Sequence, residues 1–214
     1  MTESIWATWH DSYSDPESEV SHRLVHVRRR LSDALDAAPP GPIRLISLCA
    51  GEGRDVLGVL PAHPRRPDVI ARLVELNPDV AAVARASAAA AGLDNVEVVT
   101  GDAALVAAYA DLAPADVVLA CGIFGNVDDA AIRATIDGLR QLSKRGATVL
   151  WTRSRRTPDV TTDVRRWFSE VGFEEVGFDV EDGRDFSVGT QRFAGETPPL
   201  DVTAKLFEFL PDKR

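Results

Sequence analysis

Residues 43–55 read IRLISLCAGEGRD, a short apolar run that stops in a glycine turn at Gly51 and Gly53. A helical pattern follows at once over residues 54–60. A strand, a tight turn and a helix start in this order form the nucleotide-binding corner of a doubly wound α/β sheet, because glycine lets the backbone approach a ligand closely. We therefore expect a cofactor to bind at this turn, although it lacks the third glycine of the dinucleotide fingerprint.

Two later apolar segments each end in an acidic residue. Residues 69–76 form the second predicted strand and carry Glu75 near their end. This position is about 20 residues beyond the turn, where such folds place a carboxylate that accepts both hydroxyls of a ribose. Residues 96–102 form the third predicted strand and end in Asp102. Because ligands bind beyond the carboxyl ends of parallel strands, both acids are candidate site residues.

The glycine turn, the ribose acid and the further strand-end acid, in this order, resemble the class I S-adenosylmethionine (SAM) dependent methyltransferases over about residues 43–210. The resemblance implies an α/β fold with a doubly wound, mostly parallel seven-stranded sheet and a C-terminal antiparallel hairpin. It also implies SAM as the cofactor, with Asp102 beside the adenine. The chain has Ser47 and Cys49 where the commonest first motif has an acid and a glycine. Contacts at these two positions are therefore not implied.

The candidate site residues come from the ends of the predicted strands and from the N-terminal segment. The predicted cofactor contacts are Tyr13, Ala50, Gly51, Gly53, Glu75, Leu76, Asp102, Ala103, Gly122 and Ile123. The predicted acceptor contacts are Trp9, Phe124, Asn126 and Arg153. His10 is the candidate general base, because the pKa of histidine lies near neutrality. The alternative roles are solvated acids at the surface, a structural or surface histidine, and solvent-facing arginines.

Residues 1–15 are rich in aromatic side chains and have no clear period, with Trp6, Trp9, His10 and Tyr13 close together. They are interpreted either as an arm that packs on the domain surface or as a lid over the cofactor, which the resemblance favours. Residues 18–37 follow with the spacing of an amphipathic helix. The predicted organisation is an N-terminal arm and helix over residues 1–40, and a SAM-binding domain over residues 41–214.

Strands and helices alternate in the rest of the chain, which predicts a parallel sheet. A helix is expected over residues 77–91, strands over residues 116–122 and 147–153, and a further helix from Thr157 and Pro158. Residues 173–180 and 204–210 are expected to pair as the final hairpin. Residues 182–200 would then be an excursion over the carboxyl edge, with a short strand of their own at about residues 187–193.

Composition and charge favour a small-molecule acceptor. The 214 residues carry a formal net charge of −9, which repels polyanions and disfavours tRNA or DNA as the substrate, although a local basic patch could still hold one. The two cysteines are expected to be small, reduced core residues. The chain begins without a cationic and apolar leader, and no run approaches the ~18 apolar residues of a membrane span, so we expect a cytoplasmic protein without a membrane partner.

Several motifs are missing from the sequence. No Asn-Pro-Pro-aromatic stretch follows the fourth strand, which disfavours enzymes that methylate amino groups of nucleic acids. No Cys/His cluster has zinc spacing and no metal-binding carboxylate group is recognisable. The predicted function is therefore methyl transfer from SAM to oxygen or nitrogen of a small molecule. The alternatives are an NAD(P)-dependent oxidoreductase, which Glu75 permits, and a non-catalytic SAM-binding subunit with an altered first motif.

Overall fold

The computed structural model describes Tyr13 and residues 15–210. Trp6, Trp9 and His10 lie outside the described residues. Seven strands of the described chain form one sheet, and their bounds are β1 Ile43–Leu48, β2 Val69–Glu75, β3 Val96–Thr100, β4 Ala115–Ala120, β5 Ser143–Ser154, β6 Phe173–Val180 and β7 Phe186–Phe193.

The strand order is β3-β2-β1-β4-β5-β7-β6. Strands β1 to β5 are parallel, whereas β7 runs antiparallel to both of its neighbours, β5 and β6. The predicted doubly wound, mostly parallel sheet with a C-terminal antiparallel hairpin is confirmed. Chain order reverses between β1 and β4, and the crevice at such a point is where open α/β sheets bind ligands.

Five α-helices of the described residues cover the two faces of the sheet, and their bounds are α1 Glu19–Ala37, α2 Val56–Val59, α3 Pro78–Ala90, α4 Asp129–Leu142 and α5 Thr161–Glu170. Helix α3 begins as predicted, because the Asn77 side chain accepts hydrogen bonds from the amides of Asp79 and Val80. The predicted start of α5 at Thr157 is wrong. The Asp159 carboxylate accepts from the amide and hydroxyl of Thr161, at 2.9 and 2.7 Å, and so holds a turn ahead of the helix.

Apolar side chains bury both faces of the sheet. Helices α1, α2 and α3 pack on one face, and α4 and α5 pack on the other together with Leu206 and Phe207. Strand β4 is buried along its whole length, which explains its continuous apolar run. No helix of residues 15–210 is both long enough and apolar enough to cross a membrane.

Helix α1 is part of the same core as the sheet. Val27 and Leu31 pack in one cluster with Ile43 of β1, and the Arg30 guanidinium donates to the Asp179 carboxylate of β6 at 2.6 and 2.7 Å. The first helix is thus anchored at two places on the sheet. The division into an N-terminal arm and helix over residues 1–40 and a SAM-binding domain over residues 41–214 stays a prediction.

The last strand of the sheet is not the predicted one. Strand β7 comprises Phe186–Phe193, whereas residues 204–210 contain no strand. Strand β7 lies between two strands and therefore buries its polar side chains, including Ser187 and Gln191. The apolar residues of 204–210 cover the core instead, and the Leu206 amide donates to the Ala104 carbonyl at 2.8 Å.

Candidate functional site

A cavity opens beside the glycine turn, at the carboxyl ends of β1 and β4. Its walls come from helix α1, from the turn and from the loop after β4. The lining residues are Tyr13, Arg23, Leu24, Val27, Cys49, Ala50, Gly51, Glu52, Arg54, Asp55, Cys121 and Gly122. Four of the predicted cofactor contacts, Tyr13, Ala50, Gly51 and Gly122, therefore meet in one cavity, at the point in the sheet where a ligand is expected.

The glycine turn owes its shape to backbone conformations that favour glycine. Gly51 and Gly53 have φ angles of 58° and 69°, and Cys49 takes the same left-handed region with φ 49°. A Cβ on Gly53 would lie 2.8 Å from the Leu73 side chain of β2. Gly53 is thus needed for close packing of the turn on the sheet. Its contact with a cofactor stays a prediction.

Glu75 ends β2 and is fixed by two backbone amides. One carboxylate oxygen accepts from Gly51 at 2.9 Å and the other from Asn77 at 2.9 Å. These hydrogen bonds orient the carboxylate and connect it to the glycine turn. Each oxygen keeps a lone pair for a further donor, which is what a ribose with two hydroxyls requires. Leu76, the next residue, is 66% exposed and offers an apolar surface at the same edge.

Asp102 lies at the carboxyl edge beyond β3. Its carboxylate accepts from the Ala104 amide at 2.9 Å, and the buried Tyr109 hydroxyl donates to the Ala103 carbonyl at 2.9 Å. Both bonds hold residues 102–104 in one conformation. The sequence reasoning did not find Tyr109, whose role shows only in the folded chain.

In the loop after β4, hydrogen bonds hold both the amide and the carbonyl of Gly122. The Gly122 amide donates to the Thr152 hydroxyl at 2.8 Å, and the Asn126 side chain donates to the Gly122 carbonyl at 2.6 Å. Gly122 has φ 78°, and a Cβ there would meet no heavy atom of the described residues within 4 Å. A side chain at this position would therefore project into open space.

Two neighbouring residues of this loop are fully buried. Phe124 contacts the rings of Trp151 and Phe168, with centroids 5.8 and 6.2 Å apart, and Ile123 lies in the same core. The geometry gives the Phe124 ring a packing role. A direct contact of Phe124 with an acceptor, and of Ile123 with a cofactor, stays a prediction.

The sequence places Arg153, Arg155 and Arg156 together after the fifth predicted strand, but in the structure Arg153 belongs to β5 and the three guanidinium groups do not converge on one point. Arg155 lies 3.6 Å from Asp159, and Arg156 lies 3.0 Å from Asp185. The Arg153 guanidinium instead donates to the Phe124 carbonyl, and its Nε is buried without a hydrogen-bond partner. Burial lowers the pKa of Arg153. Among the described residues, no acid lies within ion-pairing distance of it.

Tyr13 is the N-terminal residue of the described chain and lines the cavity. The Arg54 guanidinium lies 5.0 Å from the centre of the Tyr13 ring. Nη2 of Arg23 lies 3.5 Å from the Tyr13 hydroxyl oxygen. Burial raises the pKa of Tyr13, so its phenol stays neutral at ordinary pH. Trp9 and His10, the other predicted contacts from this segment, lie outside the described residues.

The cavity wall also contains both cysteines, which sequence reasoning assigned to the core. Cys49 and Cys121 are free thiols and half-buried, and burial raises the pKa of each well above its ordinary value. Both are therefore neutral thiols. The sequence did not identify Arg23, Leu24 and Asp55 as site residues. The helical period places Arg23 and Leu24 on α1, but it does not predict that α1 packs beside the glycine turn.

Comparison with known proteins identifies the family. A family model described as "Putative methyltransferase" matches residues 19–172. The chain belongs to this methyltransferase family. A comparison with curated protein sequences found no match.

Solved structures share the fold. A "possible exported protein" from Bordetella parapertussis matches with a TM-score of 0.65 at 16% identity, over 82% of this chain and 68% of that one. An O-methyltransferase family protein from Burkholderia thailandensis matches with a TM-score of 0.58 at 18% identity, over 85% of this chain and 61% of that one. An RNA methyltransferase from Salinibacter ruber, in complex with S-adenosyl-L-homocysteine, matches with a TM-score of 0.55 at 22% identity, over 82% of this chain and 95% of that one. The class I methyltransferase fold expected from the sequence is confirmed.

Proposed function

We propose that this methyltransferase takes its methyl group from SAM and transfers it to oxygen or nitrogen of a small molecule. The proposal rests mainly on Glu75. The amides of Gly51 and Asn77 orient its two carboxylate oxygens beside the cavity at the glycine turn. A carboxylate in this place suits a ribose, and the cavity next to it suits the rest of a nucleoside derivative.

The residues fit SAM by three further features. The side-chain-free face of Gly122 leaves room at the cavity, because a Cβ there would meet none of the described atoms. Exposed Leu76 would offer an apolar face to the adenine, and the Asp102 carboxylate, which the Ala104 amide orients, would accept from the polar edge of the adenine. The contact of the adenine with the Ala103 amide stays a prediction. Tyr13 lines the cavity. Bound SAM supplies an electrophilic methyl group on a sulfonium.

The chain itself contributes positioning more than acid–base chemistry. Methyl transfer is an in-line displacement, for which alignment of donor and acceptor supplies much of the acceleration. The bonds of Gly122 to Thr152 and Asn126 fix the loop that borders the cavity. His10 remains the candidate base for an acceptor that must lose a proton, and Trp9 and Phe124 remain candidate acceptor contacts.

Arg153 is the residue that we assign to an anionic group of the acceptor. It lies at the end of β5, beside the loop that follows Gly122, and its half-buried charge forms no direct ion pair with an acid of the described residues. Only the more distant charges of Asp129 and Asp159 oppose the effect of burial on its pKa. A carboxylate or phosphate on the acceptor would supply the missing ion pair through a bidentate contact. The net charge of −9 opposes a polynucleotide more strongly than a small anion, because a polyanion carries many more negative charges.

The test is turnover with a cell extract. The chain, methyl-labelled SAM and extract are incubated, and S-adenosylhomocysteine and labelled product are measured against a Glu75→Ala control. Label in a fraction of low molecular mass supports the proposal. Label that nuclease treatment releases would make a nucleic acid the acceptor. SAM binding without turnover in any extract would favour the non-catalytic subunit, and hydride transfer with NAD(P) would favour the oxidoreductase. The cytoplasmic location expected from the sequence also stays a prediction.

A further inference from the structure

Asp55 is a buried acid in the cavity wall, directly after the glycine turn. Its side chain is 9% exposed, and it accepts a hydrogen bond from the Val56 amide at 2.7 Å. No Lys or Arg of the described residues lies within ion-pairing distance of the carboxylate. A buried carboxylate without a cation is costly, so this position calls for an explanation.

Two arginines of this region, Arg28 and Arg54, are engaged elsewhere. Arg28 donates to the Arg54 carbonyl at 2.8 and 2.6 Å, and Arg54 itself pairs with Glu52 at 2.7 Å. Neither therefore neutralises Asp55. Burial raises the pKa of Asp55, and the Val56 amide and the more distant charges of Arg28 and Arg23 only partly oppose that effect. A cation entering the cavity would favour the ionised form of Asp55.

The same cavity presents groups of the opposite kind from helix α1. Arg23 brings a guanidinium, and the Tyr13 hydroxyl lies 3.5 Å from it. One small cavity thus holds a carboxylate on the side of the turn, and a guanidinium with a phenol on the side of α1. Such a pair of opposite poles is complementary to a zwitterion, whose ammonium and carboxylate are only a few bonds apart.

We propose that Asp55 binds the α-ammonium group of the amino-acid end of SAM, and that Arg23 and Tyr13 receive its α-carboxylate. The inference rests on the proposed function and deepens it.

A purely structural role for Asp55 makes a different prediction. As the cap of α2, the carboxylate accepts from Val56, and asparagine caps a helix about as well as aspartate. Asp55→Asn therefore keeps the shape and the cap but removes the charge. A matched control is Asp128→Asn, because Asp128 caps α4 by accepting from Ala131 at 2.7 Å and lies outside the cavity lining.

The experiment is calorimetric titration of both variants with two ligands, S-adenosylhomocysteine and 5′-methylthioadenosine, which lacks the amino-acid group. We expect Asp55→Asn to weaken S-adenosylhomocysteine about 10- to 100-fold, as for loss of one buried charge-assisted contact, and to leave methylthioadenosine within about twofold. Asp128→Asn should change neither affinity. Equal affinity of Asp55→Asn and wild type for S-adenosylhomocysteine, or equal weakening of both ligands, would overturn the assignment.

A second measurement applies if Asp55→Asn does not fold. Wild-type protein is titrated with S-adenosylhomocysteine and with its analogue that lacks the α-amino group. A loss of about tenfold or more for the analogue supports the ammonium contact, and equal affinities refute it. Wild-type protein that binds neither S-adenosylhomocysteine nor methylthioadenosine would instead refute the proposed function itself.

Discussion

Replacing Glu75 by alanine should destabilise the fold and weaken the cofactor together. The carboxylate accepts two backbone hydrogen bonds, each 2.9 Å long, from Gly51 and Asn77. Hydrogen bonds to a charged group contribute about 1.5–3 kcal/mol each. The lower value applies because Glu75 is only half-buried, so losing both bonds should lower the free energy of unfolding by about 3 kcal/mol. Two lost ribose contacts of similar strength correspond to about a 100-fold rise in the Kd for S-adenosylhomocysteine.

Glu75→Gln separates these contributions. The glutamine side chain has one oxygen, which can accept from one of the two backbone amides, whereas its NH2 group would face the second amide. The expected loss in the free energy of unfolding is therefore about half of that for Glu75→Ala. Urea unfolding with and without S-adenosylhomocysteine gives both quantities, because a ligand bound only by the native state raises the free energy of unfolding. Glu174→Ala, an exposed acid on β6, is the control. Wild-type stability and wild-type affinity in both Glu75 variants would refute the geometry described for this carboxylate.

Three further predictions concern other parts of the molecule. Gly189→Ala should destabilise the fold by about 1–3 kcal/mol in urea unfolding, because its Cβ would lie 2.0 Å from the fully buried Trp151 ring. Asp179→Asn should lower the free energy of unfolding by about 2 kcal/mol at pH 7. The two arginines that Asp179 contacts lower its pKa, because their effect outweighs the opposing effect of burial. The contribution of Asp179 to stability is therefore present above its unfolded-state pKa and is lost as pH falls through its folded-state pKa. Arg153→Met should leave the melting temperature unchanged or raise it, because its half-buried charge forms no direct ion pair with an acid of the described residues, while turnover falls at least tenfold. Arg156→Met should change neither the melting temperature nor turnover.

The parallel half of the fold was predictable because its signals are local. Strands β1 and β4 are apolar runs bounded by turn residues, and helix α3 has both a cap and a first-turn proline. The acids at the ends of β2 and β3 could be placed at one edge since parallel strands bring their carboxyl ends together. This part of the site required only order and spacing.

The last strand was not predictable from the same signals. Strand β7 carries polar side chains that are buried because neighbouring strands cover it, whereas residues 204–210 are apolar because they pack over helix α4. A short apolar run does not distinguish a strand from a covering segment. Asp55 was missed for a related reason. Its burial depends on α1 folding back across the turn, which no local pattern encodes.

SAM binding at the glycine turn is tested most directly by calorimetric titration of the full chain with S-adenosylhomocysteine and, separately, with NAD. A cavity at the glycine turn, an oriented Glu75 and membership of the methyltransferase family lead us to expect saturable binding of one S-adenosylhomocysteine per chain and none of NAD. Saturable binding of NAD with no heat from S-adenosylhomocysteine would show that the site is not a SAM site.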